Sequence, residues 1–207
     1  DRKNFVSSKQ TPVISQNTDG FRVTYNQLNL DGKKWNISVS FNFETRGDAF
    51  SVTGEIENNV EGWNVVGFVA PIVSGIDTKL STHPLIMPCG VGQKFTQEPT
   101  EENPIDKVSF KGGLAWKYNK GLSVYEVTAS YPSRFATMQW CALAGDKGGL
   151  YFGAHDDSFS AKSFSVRHNP TNKTLGLAFR HQLVCSNGQK WKMQPVMLYP
   201  YSGQWHV

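Results

Sequence analysis

Apolar and polar side chains alternate most regularly over residues 35–44. One set of alternate positions is apolar, namely Trp35, Ile37, Val39, Phe41 and Phe43, and the set between them is polar, namely Asn36, Ser38, Ser40, Asn42 and Glu44. A period of two with one polar face predicts an antiparallel strand that has one side in water. The pattern returns over residues 50–56 after a turn at residues 46–48, so we expect a hairpin.

Turn residues separate a series of further strand-like segments. We predict strands over residues 21–30, 63–76, 107–114, 122–130, 135–143, 150–154, 162–167, 174–185 and 190–198. Residues 146–149 and the Asn187-Gly188 pair contain the glycines that hairpin turns with positive φ require. No capped helical periodicity extends beyond about two turns, and no internal repeat is visible. The chain is therefore predicted to be all-β, a large two-layer antiparallel β-sandwich.

Residues 79–106 differ in character from the rest of the chain. This segment combines several prolines with an acidic group, namely Pro84, Pro88, Pro99, Pro104, Glu98, Glu101 and Glu102. A long irregular loop in a compact domain is usually functional or mobile, and we expect it to cross one end of the sandwich. A length of 207 residues with 39% hydrophobic side chains suits one core, so we predict a single domain over residues 1–207.

Charge and hydropathy exclude several function classes. The net charge of +4 is spread along the chain without a basic run, so we expect no nucleic-acid partner. No apolar stretch is long enough for a membrane helix, and the polar start at Asp1 is not a signal peptide. A start without Met indicates processing or a boundary within a longer chain, so it says little about the native precursor.

The cysteines and histidines give no metal-binding pattern. Cys89, Cys141 and Cys185 lack CxxC spacing; we expect buried thiols, with one disulfide as the alternative and zinc disfavoured. Five histidines are scattered without metal-ligand spacing, and His181 is expected to be structural because it lies inside a predicted strand. We predict no metal, no cofactor and no catalytic residue, since nucleophile motifs such as Gly-x-Ser-x-Gly are missing.

The richest candidate chemistry lies in residues 131–164, where a predicted strand ends in His155, Asp156 and Asp157. Polar side chains on a loop held by a rigid sheet commonly bind ligands, and these three suit a sugar or a metal. The alternative is an Asp-rich turn beside a solvated histidine. A mutarotase-like reaction would need a histidine and a carboxylate, for which His155 with Asp156 or Glu126 is available. Asp156 and Asp157 do not form a hydrolase acid pair, because neighbours on a strand point to opposite faces.

Sugar binding would also need exposed aromatic rings. The candidate platforms are Trp63, Trp116, Trp140, Trp191 and Trp205. Trp116 is the best placed, because it lies between Gly112-Gly113 and a turn at Tyr118-Asn119. Packing inside the sandwich is the alternative for each of them.

Two stretches carry a family resemblance. The sequence GGLYFGAHD at residues 148–156, preceded by a YPS…MQW strand, resembles a segment of large bacterial carbohydrate-active proteins, many of unassigned function. In these, a galactose-mutarotase-like N-terminal β-sandwich precedes a (β/α)₈ barrel like those of glycoside hydrolases. Residues 200–206, PYSGQWH, resemble the aromatic-Gly-Asp-Trp-His segment that leads into the barrel, with Gln204 in place of Asp. Asp157 stands where a Pro often follows His-Asp. The resemblance is strong over about residues 130–206 and diffuse before that.

The resemblance implies an accessory domain whose partner is a C-terminal barrel of the same polypeptide. Residues 200–207 would begin the linker, and Tyr201, Trp205 and His206 would lie at the domain interface. The catalytic acids would come from the barrel, and the protein would handle glycans outside the cytoplasm. Two alternatives stay open, a self-standing carbohydrate-binding module and a mutarotase-type sugar enzyme. An exposed set of Trp rings would favour the former, and a His and a carboxylate converging in one cleft would favour the latter.

Overall fold

The structure is a computed structural model, and it describes residues 2–77, 79–80, 82–89, 92–96, 98–99, 114, 116–133 and 136–203. A short 3-10 turn at Ser7–Lys9 precedes a succession of strands: β1 Val13–Asn17, β2 Gly20–Tyr25, β3 Leu28–Leu30, β4 Lys33–Trp35, β5 Ile37–Arg46, β6 Ala49–Asn58, β7 Val65–Asp77, β8 Leu85–Met87, β9 Gln93–Phe95, β10 Lys117–Asn119, β11 Val124–Tyr131, β12 Trp140–Gly145, β13 Gly148–Ala154, β14 Lys162–Asn169, β15 Thr174–Cys185 and β16 Gln189–Ser202. Within the described ranges, no helix is both long and apolar enough to cross a membrane.

The chain divides into two compact units. The first contains the residues up to Phe68 together with Gln182–Met197, and the second contains Val69–His181 together with the residues from Leu198 onward. Strands β7, β15 and β16 each begin in one unit and end in the other. The assignment of residues 1–207 to one domain therefore stays a prediction.

The first unit is built around an aromatic core. Its main sheet has the strand order β1-β2-β5-β6-β16, and β3 pairs with β4 as a separate hairpin. A cluster of buried side chains forms the core, namely Leu28, Trp35, Ile37, Ile56, Leu183 and Cys185. Trp35 packs edge-on against Trp63, with 5.0 Å between the ring centroids. This apolar contact area is what stabilises the unit.

The predicted hairpin of residues 35–56 is present in the first unit. Strand β5 pairs with β6 in antiparallel register from Ile37 opposite Asn58 to Arg46 opposite Ala49. The apolar face of β5 is deeply buried only at its start, at Ile37, and becomes half-buried towards Phe43. There the ring of Phe21, which is paired with Phe43 on the neighbouring strand β2, stacks on the Phe43 ring with 4.6 Å between the centroids.

The second unit contains two facing sheets. One has the order β16-β13-β12-β8-β9 and the other has the order β10-β11-β14-β15-β7. The inner faces meet at Phe152 of β13 and Phe179 of β15, whose ring centroids lie 4.8 Å apart, while Phe164 of β14 packs 5.8 Å from Phe179. The prediction of an all-β fold with a large two-layer antiparallel sandwich is therefore confirmed.

Several strand-level predictions need correction or lie outside the described residues. The strand predicted over residues 135–143 begins only at Trp140. The supposedly irregular segment 79–106 contains the short strands β8 and β9, which extend a sheet. The predicted strand over residues 21–30 is two strands, β2 and β3, because a bend at Asn26 and Gln27 separates them. Most of the predicted strand over residues 107–114 falls on residues that the structure does not describe.

A buried asparagine holds the turn after β6. Asn58 is fully buried, and its side-chain amide donates to the carbonyl oxygens of Trp63 at 2.8 Å and Cys185 at 2.9 Å. Its side-chain oxygen accepts a hydrogen bond from the backbone N–H of Val60 at 3.1 Å. One side chain thus satisfies three backbone groups, which would otherwise lose their partners away from water.

We expect Asn58→Ala to lower the free energy of unfolding by about 2 kcal/mol or more, because it leaves buried backbone groups without partners. The matched control is Asn59→Ala, since the exposed side chain of Asn59 donates to the Glu57 carboxylate at 3.1 Å and bridges no buried backbone groups. That control should change the free energy by no more than about 0.5 kcal/mol. Urea unfolding followed by fluorescence measures both, and equal effects would contradict this role of Asn58.

Candidate functional site

Three of the predicted binding residues, His155, Asp156 and Asp157, follow directly on the β12–β13 hairpin in the second unit. In this hairpin Trp140 is paired with Gly153, and Cys141 is paired with Phe152. Cys141 and Phe152 point into the core, where they are almost fully buried. Because side chains alternate along a strand, Trp140 and Gly153 lie on the outer face. The loop of residues 155–161 then connects β13 to β14.

Asp156 is buried in this loop and is saturated with hydrogen bonds. Its carboxylate accepts from the backbone N–H of Ser158 at 2.8 Å, from the Ser158 hydroxyl at 2.5 Å and from the Ser160 hydroxyl. Lys162 Nζ donates to the same carboxylate at 2.5 Å. Burial alone would raise the pKa of Asp156, but the hydrogen bonds from Lys162 and the two serines outweigh it and hold the pKa well below its usual range.

The Lys162 ammonium is itself enclosed, with a side-chain exposure of 1%. It donates to Gln139 Oε1 at 2.7 Å and to the backbone oxygen of Ser160 at 2.9 Å, and it lies 5.5 Å from the ring centre of Tyr131. Gln139 closes the network by donating through Nε2 to the backbone oxygen of Asp156 at 2.7 Å. For Asp156, the alternative of a structural Asp-rich turn therefore describes the geometry, and no acceptor oxygen of this carboxylate faces an open surface.

His155 and Asp157, by contrast, are exposed on either side of Asp156. The Nε2 atom of His155 lies 3.5 Å from the hydroxyl of Tyr151, and the two ring centroids are 6.0 Å apart. Burial raises the pKa of the Tyr151 hydroxyl to about 12, so this group is a neutral hydrogen-bonding partner at physiological pH. The structure thus separates the predicted triplet into one buried anchor and two solvent-facing side chains.

Half-buried aromatic rings lie beside His155. Trp140 and Tyr151 have ring centroids 6.0 Å apart with planes tilted by 30°. A Cβ atom at Gly153 would collide with the Tyr151 ring and hydroxyl, so the glycine provides the space in which this ring lies. Met138 is 54% exposed, and its sulfur accepts from Trp140 Nε1 at 3.2 Å. We call Trp140, Tyr151 and His155 the aromatic surface.

Trp116 does not form an exposed platform. It is only 2% exposed, and its ring packs edge-on to Phe95 with 6.1 Å between centroids. The prediction of Trp116 as a sugar platform is therefore not supported, because a sugar cannot reach a ring that the interior encloses. Trp140, which the sequence offered only as one of several candidates, is half-buried.

The predicted interface residues are only partly described. Trp205 and His206 lie outside the described residues. Tyr201 is half-buried at the end of β16, and its hydroxyl donates to the backbone oxygen of Leu143 at 3.2 Å. Its ring occupies the space where a Cβ atom at Gly149 would lie. The backbone N–H of Gly203 donates to Lys147 O at 3.1 Å, so the chain is tied to the β12–β13 hairpin up to this point.

A depression of about 380 Å³ lies at the turn end of the same hairpin. It is lined by Ile76, Asp77, His83, Leu143, Lys147, Gly148, Gly149 and Leu150. His83 Nδ1 is 3.1 Å from the Thr82 hydroxyl. Asp77 and His83 are a carboxylate and a histidine in one hollow, which is the feature expected of the mutarotase-type alternative. Sequence reasoning missed this pair because the two residues lie on separate segments.

No cluster of metal-ligating side chains occurs in the part of the chain that the structure describes. His181 is 3% exposed on β15, opposite Lys162 of β14, and its Nε2–H donates to the backbone oxygen of Ala70 at 2.9 Å. Burial lowers the pKa of His181 to about 4, with the nearby Lys162 charge acting in the same direction. His181 is thus a neutral structural residue, as expected from its place in a strand. All three cysteines are buried, and burial raises the pKa of Cys141 to about 12.

Comparison with known proteins identifies the fold and nothing finer. The sequence matches no family model and no curated protein. Its structure resembles an α-N-acetylgalactosaminidase from Bifidobacterium bifidum, with a TM-score of 0.59 and 12% identity over 95% of this chain. It also resembles an α-galactosidase from Lactobacillus brevis, with a TM-score of 0.52 and 10% identity over 98% of this chain. A protein from Synechocystis matches 92% of this chain with a TM-score of 0.50 and 8% identity.

The chain is much shorter than the two enzymes. It spans 28% of the Bifidobacterium chain and 26% of the Lactobacillus chain, against 66% of the Synechocystis chain. At such low identities the likeness shows a shared fold alone. The chain therefore has the fold of a β-sandwich that also occurs as part of glycoside-cleaving enzymes.

We expect Asp156→Asn to lower the free energy of unfolding by about 3 to 5 kcal/mol, because it leaves the buried Lys162 ammonium without its counter-charge. The neighbouring Asp157→Asn is the matched control, since this carboxylate is exposed. It should change the free energy by less than about 0.5 kcal/mol. Urea unfolding at pH 7 compares the two, and a similar loss in both variants would contradict the anchoring role of Asp156.

The lowered pKa of His181 predicts a loss of stability in acid. Between pH 6.5, its ordinary pKa, and about pH 4, the unfolded chain binds a proton at this position that the folded chain does not. His181→Gln keeps an N–H donor for Ala70 and removes the titration, so the stability lost across this window should shrink by about 3 kcal/mol. Urea unfolding at a series of pH values measures it, with Gln182→Ala as a control that removes no titrating group. An unchanged pH slope in His181→Gln would contradict the prediction.

Proposed function

We propose that this chain is the non-catalytic N-terminal β-sandwich of a larger carbohydrate-active, glycoside hydrolase-like protein. In that protein it supports a C-terminal (β/α)₈ barrel that carries the catalytic acids, and it contributes to glycan binding. The observation that carries the proposal is the match of nearly the whole chain to about a quarter of two glycoside-cleaving enzymes. Most of each enzyme's length is therefore available for a separate catalytic part.

The local chemistry agrees with a supporting role. Asp156 is the carboxylate in the segment 148–156 that carries the family resemblance. It is paired with Lys162 inside the fold and is not available to protonate a glycosidic oxygen. A hydrolase needs one acid that is protonated and one that is ionised at working pH. The lowered pKa of Asp156 rules out proton donation, and its burial keeps a substrate from reaching it. The proposal accordingly assigns the catalytic acids to the barrel.

The end of β16 suits a junction with a following domain. Tyr201 and Gly203 are hydrogen-bonded to the β12–β13 hairpin at Leu143 and Lys147. A chain fixed in this way would leave the sandwich at a defined position, and Tyr201, Trp205 and His206 would then lie at the interface. Because residues 148–156 and 200–206 resemble segments of bacterial carbohydrate-active proteins, we also propose that the protein is bacterial and lies outside the cytoplasm, where it would meet glycans.

One observation favours a second function, that of a mutarotase-type sugar enzyme. The depression next to the β12–β13 turn brings Asp77 and His83 into one lining. Proton transfer at a sugar's anomeric centre needs an acid and a base within reach of the same substrate. Because Asp77 and His83 line the same depression, the test below includes an assay of sugar mutarotation.

The test compares three purified proteins: residues 1–207, the longer polypeptide that contains them, and that polypeptide without residues 1–207. We expect release of nitrophenol from nitrophenyl α-galactoside or α-N-acetylgalactosaminide by the longer polypeptide only. The sandwich alone lacks the catalytic acids, and the remainder should lose its stability without its support.

Two results would contradict the proposal. Hydrolysis by residues 1–207 alone would place the catalytic acids in the sandwich. A native polypeptide in which no domain follows residue 207 would show that there is no C-terminal barrel. Polarimetry of freshly dissolved α-galactose is run on the same samples. Faster mutarotation with the chain alone, abolished in His83→Ala, would support the mutarotase-type function instead.

A further inference from the structure

The outer face of the β12–β13 hairpin carries a set of aromatic and polar side chains that the fold does not use for its core. Trp140 and Tyr151 remain half-buried, while their strand neighbours Cys141 and Phe152 fill the interior. His155 is exposed next to Tyr151. Rings that are partly open to water, next to hydrogen-bonding side chains, are typical of small-molecule sites rather than of packing.

We propose that the aromatic surface of Trp140, Tyr151 and His155 binds a hexopyranose unit of a glycan. A pyranose has C–H groups on its faces and hydroxyls around its edge. The tilted rings of Trp140 and Tyr151, 6.0 Å apart, offer apolar contact to a face. The Tyr151 hydroxyl and His155 Nε2, 3.5 Å apart, and the exposed Asp157 offer donors and acceptors to the edge.

The rings are held in place before any ligand arrives. Gly153 leaves the space that the Tyr151 ring occupies, and the Met138 sulfur accepts the Trp140 N–H at 3.2 Å. The loop that begins at His155 is fixed through Asp156, whose backbone oxygen accepts from Gln139, the residue before Trp140. Binding to rings that are already ordered loses little conformational entropy, which favours affinity for a small ligand.

The charges around the aromatic surface favour a neutral ligand. The exposed carboxylate of Asp157 would repel a phosphate, and the ammonium of Lys162 is enclosed and paired with Asp156. The three residues of the aromatic surface include no lysine or arginine to receive the phosphate of a nucleotide, so a neutral sugar fits this surface better. Tyr118 and Tyr125 form another ring pair, with 5.0 Å between centroids, but Tyr125 is only 3% exposed and that pair offers a single open ring.

The inference rests on the proposed carbohydrate role, and its test uses residues 1–207 alone. Methyl α-galactopyranoside and methyl α-glucopyranoside are titrated into ¹⁵N-labelled chain, and the indole N–H signal of Trp140 is followed by NMR. The backbone N–H signal of His155 is followed as well, so that variants without the Trp140 indole can be compared. We expect saturable shifts of these signals with a dissociation constant of about 1 mM for at least one sugar. No saturable binding up to about 100 mM would overturn the proposal.

Three variants locate the binding. Trp140→Ala should weaken binding at least about tenfold, since it removes a stacking ring. Gly153→Ala should weaken it several-fold, because the new methyl group displaces only the movable end of Tyr151, so this variant stays informative if Trp140→Ala fails to fold. Tyr118→Ala removes an exposed ring elsewhere in the same unit and should leave the affinity unchanged. Equal affinity in all three variants would overturn the assignment.

The outcomes separate this inference from the proposed function. If the longer polypeptide hydrolyses the substrate but residues 1–207 bind no sugar, the proposed binding site is wrong and the supporting role still holds. Sugar binding without hydrolysis by the longer polypeptide would do the reverse. If Trp140→Ala leaves sugar binding intact but separates the sandwich from the remainder of the polypeptide, the aromatic surface is a protein interface and the glycan proposal is wrong.

Discussion

The enclosed ammonium of Lys162 is the constraint around which the end of the second unit is arranged. An isolated charge at 1% exposure would be strongly destabilising, so the fold must supply a counter-charge and further acceptors. Asp156 provides the charge, and Gln139 and the Ser160 carbonyl provide the acceptors. Gln139 lies just before β12, Asp156 lies after β13 and Lys162 begins β14, so this network fixes the path of three chain segments.

The aromatic surface is a consequence of that arrangement. Alternation along β12 and β13 sends Cys141 and Phe152 inward, so Trp140 and Tyr151 must face outward. The anchored Asp156 leaves His155 and Asp157 exposed on either side of it, with His155 next to Tyr151. A loop fixed by buried charges and a hairpin fixed by its core contacts together give rings of defined position, which is the condition for weak but specific binding of a small neutral ligand.

Local sequence signals predicted most of the fold and little of the site. The β5–β6 hairpin followed from alternation and from the Arg46–Asp48 turn, and the turn at residues 146–149 followed from its glycines, because both depend on neighbours in sequence. The burial of Asp156 and Trp116 did not follow, since it depends on partners such as Lys162 and Phe95 that only the tertiary fold brings close. Aspartate is usually exposed, and nothing local distinguishes Asp156 from Asp157. The outward position of Trp140 could have been predicted from the inward position of Cys141, because neighbouring side chains on a strand point to opposite faces.

We propose that a buried ion pair orders the outward aromatic surface that binds a sugar. A crystal structure of residues 1–207 grown with a saturating concentration of a methyl hexopyranoside tests this most directly. We expect a pyranose ring lying against Trp140 and Tyr151, a sugar hydroxyl within hydrogen-bonding distance of His155, and an unchanged contact between Lys162 and Asp156. A sugar bound in the hollow at His83 and Asp77, with the Trp140 ring bare, would contradict it.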